Sequence, residues 1–500
     1  MTSVYSACLL VLTLLFASNT EGWKPKKVVN LPGAPTFNFD QYTGYLDASE
    51  GKGNYKIFYW FIKSRFDPEK APIMLWLNGG PGASSLLGLF TIHGPLYLSN
   101  DNGKSLHDNV MSWNNVANII YMESPCGVGF SYAMDNRTQW SDKSTAELNY
   151  QAMHDFFATA FPQYKNNDFY IAGESYGGTY IPTLSKRIWQ GINDGKFSNP
   201  NFKGMAVGNG CVDQKINHNS KQVFYYYHGV YGDRMWAKMK EKCCESSCPD
   251  ECDFHACQGD MFEKLTPEER EFQAKAMLNA AIREERYDRH YGGKSDFLND
   301  DRFNMYQSCY STETKALLNF TYPYLFTRMS VTDSTDPFDG FPCWTEENMK
   351  IYANRLDVWD AIHIDDVWRK RKGKWAAYGV QYTKQYDSMA SVYDAILRIS
   401  SPQFKIMLYN GDTDTACNFL EASWFMDRTM KRNKIDVLRE REMWYYRSQI
   451  AGHVQRYKRN VDVLTIRGAG HMVAMDRPGP GLQMLANFIN DKEYSTKFLL

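Results

Sequence analysis

Gly173-Glu174-Ser175-Tyr176-Gly177 places a serine between two glycines in a G-x-S-x-G pentapeptide. On its own this is a common turn. It carries chemistry when a short apolar strand enters it and a helix leaves it, because the tight turn then presents the hydroxyl at the strand end. Asp168 to Ala172 reads as that strand, and Thr179 to Ile192 as that helix. A serine hydroxyl is a weak nucleophile without a base, and a histidine base needs an acid to hold its tautomer. Two downstream loops supply candidates. Lys405–Tyr409 runs into Asn410-Gly411-Asp412-Thr413-Asp414, and Val461–Ile466 runs into Gly468-Ala469-Gly470-His471. His453 sits at the start of its predicted strand, the wrong end, and His228 and His363 lack such a setting, so these read as structural. Developing negative charge on a substrate oxygen needs backbone N–H donors. The Tyr176 N–H is one, and the glycine-rich turn Asn78-Gly79-Gly80-Pro81-Gly82 can provide the other.

The elements that must position these residues form a regular series. Asn54–Ile62, Pro72–Leu77, Asn118–Met122, Asp168–Ala172, Lys203–Val207, Phe404–Tyr409 and Val461–Ile466 are short apolar runs, most of which end in a turn. Continuous runs of this kind suit strands buried on both faces. Helical patterns lie between several of them, one at Glu147–Phe161 ending at Pro162. The alternation predicts an α/β architecture with a mostly parallel sheet, and Ser, then Asp, then His is the chain order of the α/β-hydrolase fold. Between Asp213 and Trp344 the alternation stops. That stretch holds a cysteine cluster and a charged helical pattern from Thr266 to Arg289, and reads as a cap inserted over the active edge. The resulting organisation is a leader at 1–22, core at 23–212, cap at 213–344 and core again at 345–500.

Composition narrows the function. The 500 residues carry 56 Lys+Arg against 57 Asp+Glu, a net charge of −1, which argues against nucleic acid as partner. At 43% hydrophobic and 23% charged the chain is globular. The apolar Ala7–Ala17 stretch is too short for a bilayer, which needs about 20 residues, and reads as a signal peptide. No second stretch could span a membrane, so no membrane association is expected after its removal. The chain has 11 cysteines. Cys8 lies in the leader, and Cys243, Cys244, Cys248, Cys252 and Cys257 crowd together. In an oxidising compartment these read as disulfides. Adjacent Cys243-Cys244 do not make a zinc-ribbon spacing, so no metal is expected. No motif calls for a cofactor. Asn136 and Asn319 head N-x-S/T glycosylation triplets.

Five motifs, in order, make the chain resemble the serine carboxypeptidase family. They are the stretches Trp76–Ser85, Glu123–Tyr132, Gly173–Gly178, Asn410–Asn418 and Gly468–Val473. The resemblance implies a hydrolase that removes single residues from peptide C-termini through an acyl-enzyme. It assigns Ser175 as nucleophile, His471 as base and Asp414, rather than Asp412, as the orienting acid. It assigns Gly80 and Tyr176 as oxyanion donors, and Asn78, the Gly79 N–H and Glu174, with Trp76 behind them, as the site for the substrate's terminal carboxylate. Glu174 tolerates a second carboxylate only by sharing a proton, which favours acidic pH. The resemblance also implies disulfides Cys243–Cys257, Cys244–Cys248 and Cys309–Cys343, leaving Cys126, Cys211, Cys252 and Cys417 unassigned. Lysosomal or extracellular delivery and a homodimer are further implications.

Three departures matter. Ile92 stands where the family carries a second glutamate. Ala83 stands where it carries a cysteine, and Trp375–Tyr386, where the partner would lie, has none. Ala474 replaces the proline after the histidine loop. The lost glutamate leaves two other readings in play: an acyltransferase or esterase on the same scaffold, and a binding or protective partner with little catalysis. The full Ser, Asp and His set argues against the latter.

Overall fold

The computed structural model describes residues 24–99, 101–244, 252–257, 303–306 and 345–498, together with the backbone of 308–310 and 340–342. The central sheet contains β1 (Lys26–Lys27), β2 (Gln41–Asp47), β3 (Tyr55–Ile62), β4 (Ile73–Leu77), β5 (Asn118–Met122), β6 (Phe169–Glu174), β7 (Phe202–Gly208), β8 (Lys405–Gly411), β9 (Val437–Tyr446), β10 (Gln449–Tyr457) and β11 (Val461–Ile466). Their order is β1-β2-β3-β5-β4-β6-β7-β8-β11-β10-β9, with Tyr132–Ala133 paired to β3. The six strands from β5 to β11 are mutually parallel. Antiparallel strands close both edges.

Each of the predicted apolar runs is a strand of this sheet. The reason is two-sided burial. Along β3, Phe58, Trp60 and Ile62 enter one core, while Ile57, Tyr59 and Phe61 enter the other. Period-two alternation thus feeds two hydrophobic layers, and neither face can be polar. Helices α1 (Asp142–Asp155) and α2 (Gly177–Asn193) cover one face. The helix expected from Glu147 begins five residues earlier, where Ser141 caps it, and ends in a wider turn at Phe156–Ala160 before Pro162.

Edge strands β1, β2 and β9 match none of the predicted runs, and β10 starts four residues ahead of the strand predicted to begin at His453. His453 is an exposed residue in the middle of antiparallel β10, opposite Met443, rather than at a strand start.

Between residues 213 and 344, the described residues form α3 (Gln214–Tyr227) and α4 (Asp233–Cys243), and two short strands, Ser308–Tyr310 and Gly340–Pro342, pair in parallel. The leader, the charged pattern 266–289 and Asn319 lie outside the described residues. Asn136 is exposed, and its side-chain oxygen accepts from Arg371 Nη1 at 2.8 Å.

The cysteine pairing needs correction. Cys244 is bonded to Cys252, eight residues on, not to Cys248. Cys243 and Cys257 are unbonded thiols that hydrogen-bond each other. Cys211 and Cys417 are bridged across 206 residues. Cys126 is a buried free thiol. Cys343 and the side chain of Cys309 lie outside the described residues. Ala83 is buried. The neighbouring Ser84 N–H donates to Ala377 O at 2.8 Å, within the segment where a partner cysteine was sought.

Candidate active site

Because the central strands are parallel, their carboxyl ends share one edge, and the loops leaving them converge there. Ser175 follows β6 directly, at φ +61°, a strained left-handed conformation for a residue with a side chain. Three interactions hold it. Ser175 N–H donates to Gly208 O at the end of β7, at 3.1 Å, and its carbonyl accepts from Gly178 N (2.9 Å) and Cys211 N (3.1 Å). Helix α2 starts two residues later.

The next residue after β7, Asn209, links this turn to the acid loop. Its Nδ2 donates to Asp414 Oδ2 at 2.7 Å, and its Oδ1 accepts from Gly411 N at 3.1 Å. Asp414 Oδ2 also takes His471 Nδ1 at 2.8 Å, and Oδ1 takes Ala416 N at 2.8 Å. Both the His471 and Asp414 side chains are fully buried. Asp412, two residues before, does something else: its Oδ1 accepts from Gly468 N at 2.7 Å and so ties the acid loop to the histidine loop. Burial opposes charge on His471. The Asp414 carboxylate, with Glu174 and Asp476 further off, outweighs that and raises the histidine above its ordinary pKa.

Asn78 follows β4, and the orientation of its amide is settled by its neighbours. Oδ1 accepts from Trp76 Nε1 (2.8 Å) and Gly88 N (3.0 Å), so Nδ2 must face Glu174 Oε1, at 2.8 Å. Burial pushes Glu174 up to about 8, against the lowering influence of His471 and the Asn78 bond. Gly79 packs against the serine turn so closely that a Cβ there would sit 2.3 Å from Tyr176 N and 2.8 Å from Ser175 Cβ. Gly80 has φ +104°. No described residue accepts from the Gly80 or Tyr176 N–H. A cavity of about 370 Å³ opens over Gly80, Ser175 and Tyr176 and runs along Thr179, Cys211 and Lys384.

Three site residues were missed. Asn209 lies in the turn that ends β7, and nothing in its spacing marks it. Asp476 Oδ2 accepts from Gly470 N (2.7 Å) and Asn304 Nδ2 (3.1 Å), bracing the histidine loop from behind. Glu123 accepts from Ser84 Oγ, Phe130 N and Trp375 Nε1. A buried acid inside a motif was the available signal for Glu123; nothing in the sequence marked Asp476.

Burial raises three of these carboxyls: Glu174 to about 8, Glu123 to about 7 and Asp476 to about 6. In the unfolded chain such groups ionise near 4. Between those limits the folded protein holds protons that the unfolded chain releases, so stability falls as pH rises through the window. Differential scanning calorimetry is expected to give a Tm at pH 5 higher than at pH 8 by about 5 °C or more. A Tm that rises over this range would show that the buried neutral histidines, His93 first, outweigh these carboxyls.

A model of the family described as serine carboxypeptidase matches residues 32–491. The chain is 36% identical to the lysosomal protective protein of Mus musculus, over 98% of this chain and 99% of that protein. It is 34% identical to serine carboxypeptidase ctsa-3.2 of Caenorhabditis elegans, over 97% and 96%. Among solved structures, the prohormone-processing carboxypeptidase Kex1(Δ)p of Saccharomyces cerevisiae superposes with a TM-score of 0.63 at 20% identity, covering 93% of this chain and 95% of that one. The fold is thus that of the α/β-hydrolases, with the Ser175 turn at the carboxyl edge of the sheet. Within that class the chain belongs to the serine carboxypeptidase family, and it is a serine-type carboxypeptidase, a hydrolase.

Proposed function

We propose that the chain releases C-terminal residues from peptides through an acyl-enzyme on Ser175. The observation that carries this reading is the buried His471–Asp414 hydrogen bond of 2.8 Å, joined through Asn209 and Gly208 to the strained serine turn. With Asp414 accepting from Nδ1, the imidazole holds its proton there, which leaves Nε2 as the lone pair that takes the Ser175 proton. Oγ then adds to the scissile carbonyl, and the Gly80 and Tyr176 N–H groups meet the oxyanion. His471 returns the proton to the departing amine, and water repeats the sequence on the ester. Asn78, the Gly79 N–H and Glu174, with Trp76 behind, receive the terminal carboxylate. A Glu174 that titrates near 8 is neutral in acid and can donate a hydrogen bond to that carboxylate rather than repel it. This supports work in an acidic compartment, as do the raised carboxyls and the name of the mouse relative. A lysosomal or secreted destination and a homodimeric assembly are parts of the same proposal.

The test is a mass-spectrometric digest of one N-blocked peptide as free acid and as amide, between pH 4 and pH 9. Stepwise loss of single residues from the free acid, fading as pH passes 8, is expected. Cleavage of the amide alone would assign the site to ester or amide substrates instead. That second reading rests on Ile92, buried in the Gly88–Ile92 turn whose Gly88 N–H holds Asn78. Ile92→Glu, which adds a carboxyl to this turn, is expected to raise kcat/KM on free-acid peptides at acid pH by roughly 10- to 150-fold, the worth of one charge-assisted hydrogen bond. An unchanged kcat/KM at every pH would remove Ile92 from the argument.

A further inference from the structure

A second group of reactive side chains lies on the wall of the same cavity. Cys211, in the loop after β7, is partly exposed and lines the cavity beside Ser175. It is bridged to buried Cys417, three residues beyond Asp414. The third member is Glu421, in the first turn of the helix Phe419–Arg432 and fully buried. Its Oε1 accepts from the N–H groups of Val212 (2.7 Å) and Asp213 (2.9 Å). Its Oε2 is buried without a hydrogen-bond partner among the described residues. A buried carboxyl oxygen without a partner is costly, and a cation can take the place of the proton that burial keeps on Glu421. Both sulfurs and a Glu421 carboxylate oxygen lie within 4.8 Å of one another.

Two sulfurs and a carboxylate at this spacing suit a soft divalent cation, but only when the sulfurs are thiolates. We propose that Cys211, Cys417 and Glu421 form a redox-gated site for a thiophilic divalent cation of the zinc and cadmium type, shut by the disulfide and opened by a dithiol reductant. A thiolate of the dithiol attacks Cys211 Sγ from the cavity. The bridge breaks, and its electron pair leaves on Cys417 Sγ, which takes up a proton. The second thiol of the reductant then attacks the mixed disulfide, freeing Cys211 as a thiol and closing the reductant's own disulfide. Two electrons have passed from the dithiol to the bridge. The cation displaces one proton from each cysteine and the proton that burial keeps on Glu421, and is held by two thiolates and the Glu421 carboxylate, with a fourth position toward the cavity. The site lies between nucleophile and acid. Cys211 N–H donates to the Ser175 carbonyl, and Cys417 N–H donates to Asp414 Oδ2 at 3.3 Å. A bound cation therefore occupies the wall against which an acyl group would rest.

The experiment titrates Cd²⁺ into the whole protein before and after treatment with dithiothreitol, the reductant being removed under argon. Bound cadmium per chain and the ultraviolet thiolate-to-cadmium band are the readouts, and neither depends on peptidase activity. The treated protein is expected to bind one more Cd²⁺ per chain than Cys211→Ser treated alike. The comparison is made between variants because Cys126, Cys243 and Cys257 bring thiols of their own. Glu421→Gln, which keeps the acceptor for Val212 and Asp213, is expected to bind that ion at least tenfold more weakly. Peptide hydrolysis by treated wild type should fall at least tenfold with Cd²⁺ and return with chelator, while untreated protein ignores the same Cd²⁺. Should Cys211→Ser fail to fold by circular dichroism, Cys417→Ser carries the same expectation, and Glu421→Gln leaves the bridge in place. Equal cadmium in the cysteine variants and wild type, unchanged affinity in Glu421→Gln, or mass-tagging that finds the bridge intact after dithiol would each overturn the proposal.

Discussion

Ser175→Ala lowers kcat for peptide hydrolysis on the order of 10⁶-fold, equivalent to about 8 kcal/mol of barrier, while the protein remains folded. The expected size follows from the role proposed for the hydroxyl: without Oγ no acyl-enzyme would form, and the proposed oxyanion donors and carboxylate site alone would give only residual catalysis. The folded state should not suffer, because the backbone N–H and carbonyl of residue 175, which make the turn's hydrogen bonds, are untouched. A comparison with Ser175→Gly sharpens the point. At φ +61° any side chain is strained, and glycine is not. The glycine variant is therefore expected to be just as inactive and to melt no lower than the alanine variant. Steady-state kinetics with calorimetry on both variants checks this. Retention of more than a few per cent activity in either would remove Ser175 from the mechanism.

Asp414→Asn has the second largest effect, a fall in kcat of about 10⁴-fold, joined to a loss of stability. The carboxylate accepts from four donors: Asn209 Nδ2, His471 Nδ1, Ala416 N and Cys417 N. An asparagine offers one oxygen and one NH₂ group, so its amide nitrogen must face a donor whichever way it turns. If the NH₂ group faces His471, the histidine is driven into the wrong tautomer and loses its lone pair toward Ser175. If it faces the Ala416 N–H, the acid loop is pushed apart. Leaving buried donors unpaired costs about 1–3 kcal/mol. Asp412→Asn is the control. Its Oδ1 bond to Gly468 N can be kept by the amide oxygen, so a much smaller kinetic effect is expected. Equal losses in the two variants would mean that loop disorder, not the tautomer, sets the rate.

The parallel centre of the sheet was readable because strands buried on both faces have no room for polar residues. Asn118–Met122 and Val461–Ile466 match the predicted runs to the residue, and the other central strands match to within two. The edges were not readable. Val437–Tyr446 carries Arg439, Glu440, Arg441 and Glu442 in its middle and is almost wholly exposed, so it has no apolar signature. Gln41–Asp47 is interrupted by Gly44 and polar residues and is recognisable only from its pairing with Tyr55–Ile62. Cysteine pairing failed for a related reason. The spacing of Cys244, Cys248 and Cys252 admits either bridge, and the partners Cys211 and Cys417 are separated by 206 residues. A bridge depends on Cα positions and side-chain directions, which sequence distance does not contain.

Amino-acid order by itself determined the strand–turn–helix around Ser175, the placing of Asp412, Asp414 and His471 in loops just past strands, and the α/β architecture. These are local properties: hydrophobic period, glycine at tight turns, and the direction of a strand into its loop. The bond from His471 to Asp414 agrees with the acid that the family resemblance assigns; only the tertiary structure decided that Asn209 and Asp476 brace the two loops, that Glu174 is held neutral well above its ordinary range, and that Cys211 meets Cys417 beside Glu421. Each of these depends on distances of a few ångströms, and on water excluded, between segments up to two hundred or more residues apart. Hydrogen bonding, desolvation and disulfide geometry act at that range, and the chain acquires it only when the parallel strands bring their carboxyl ends to a common edge.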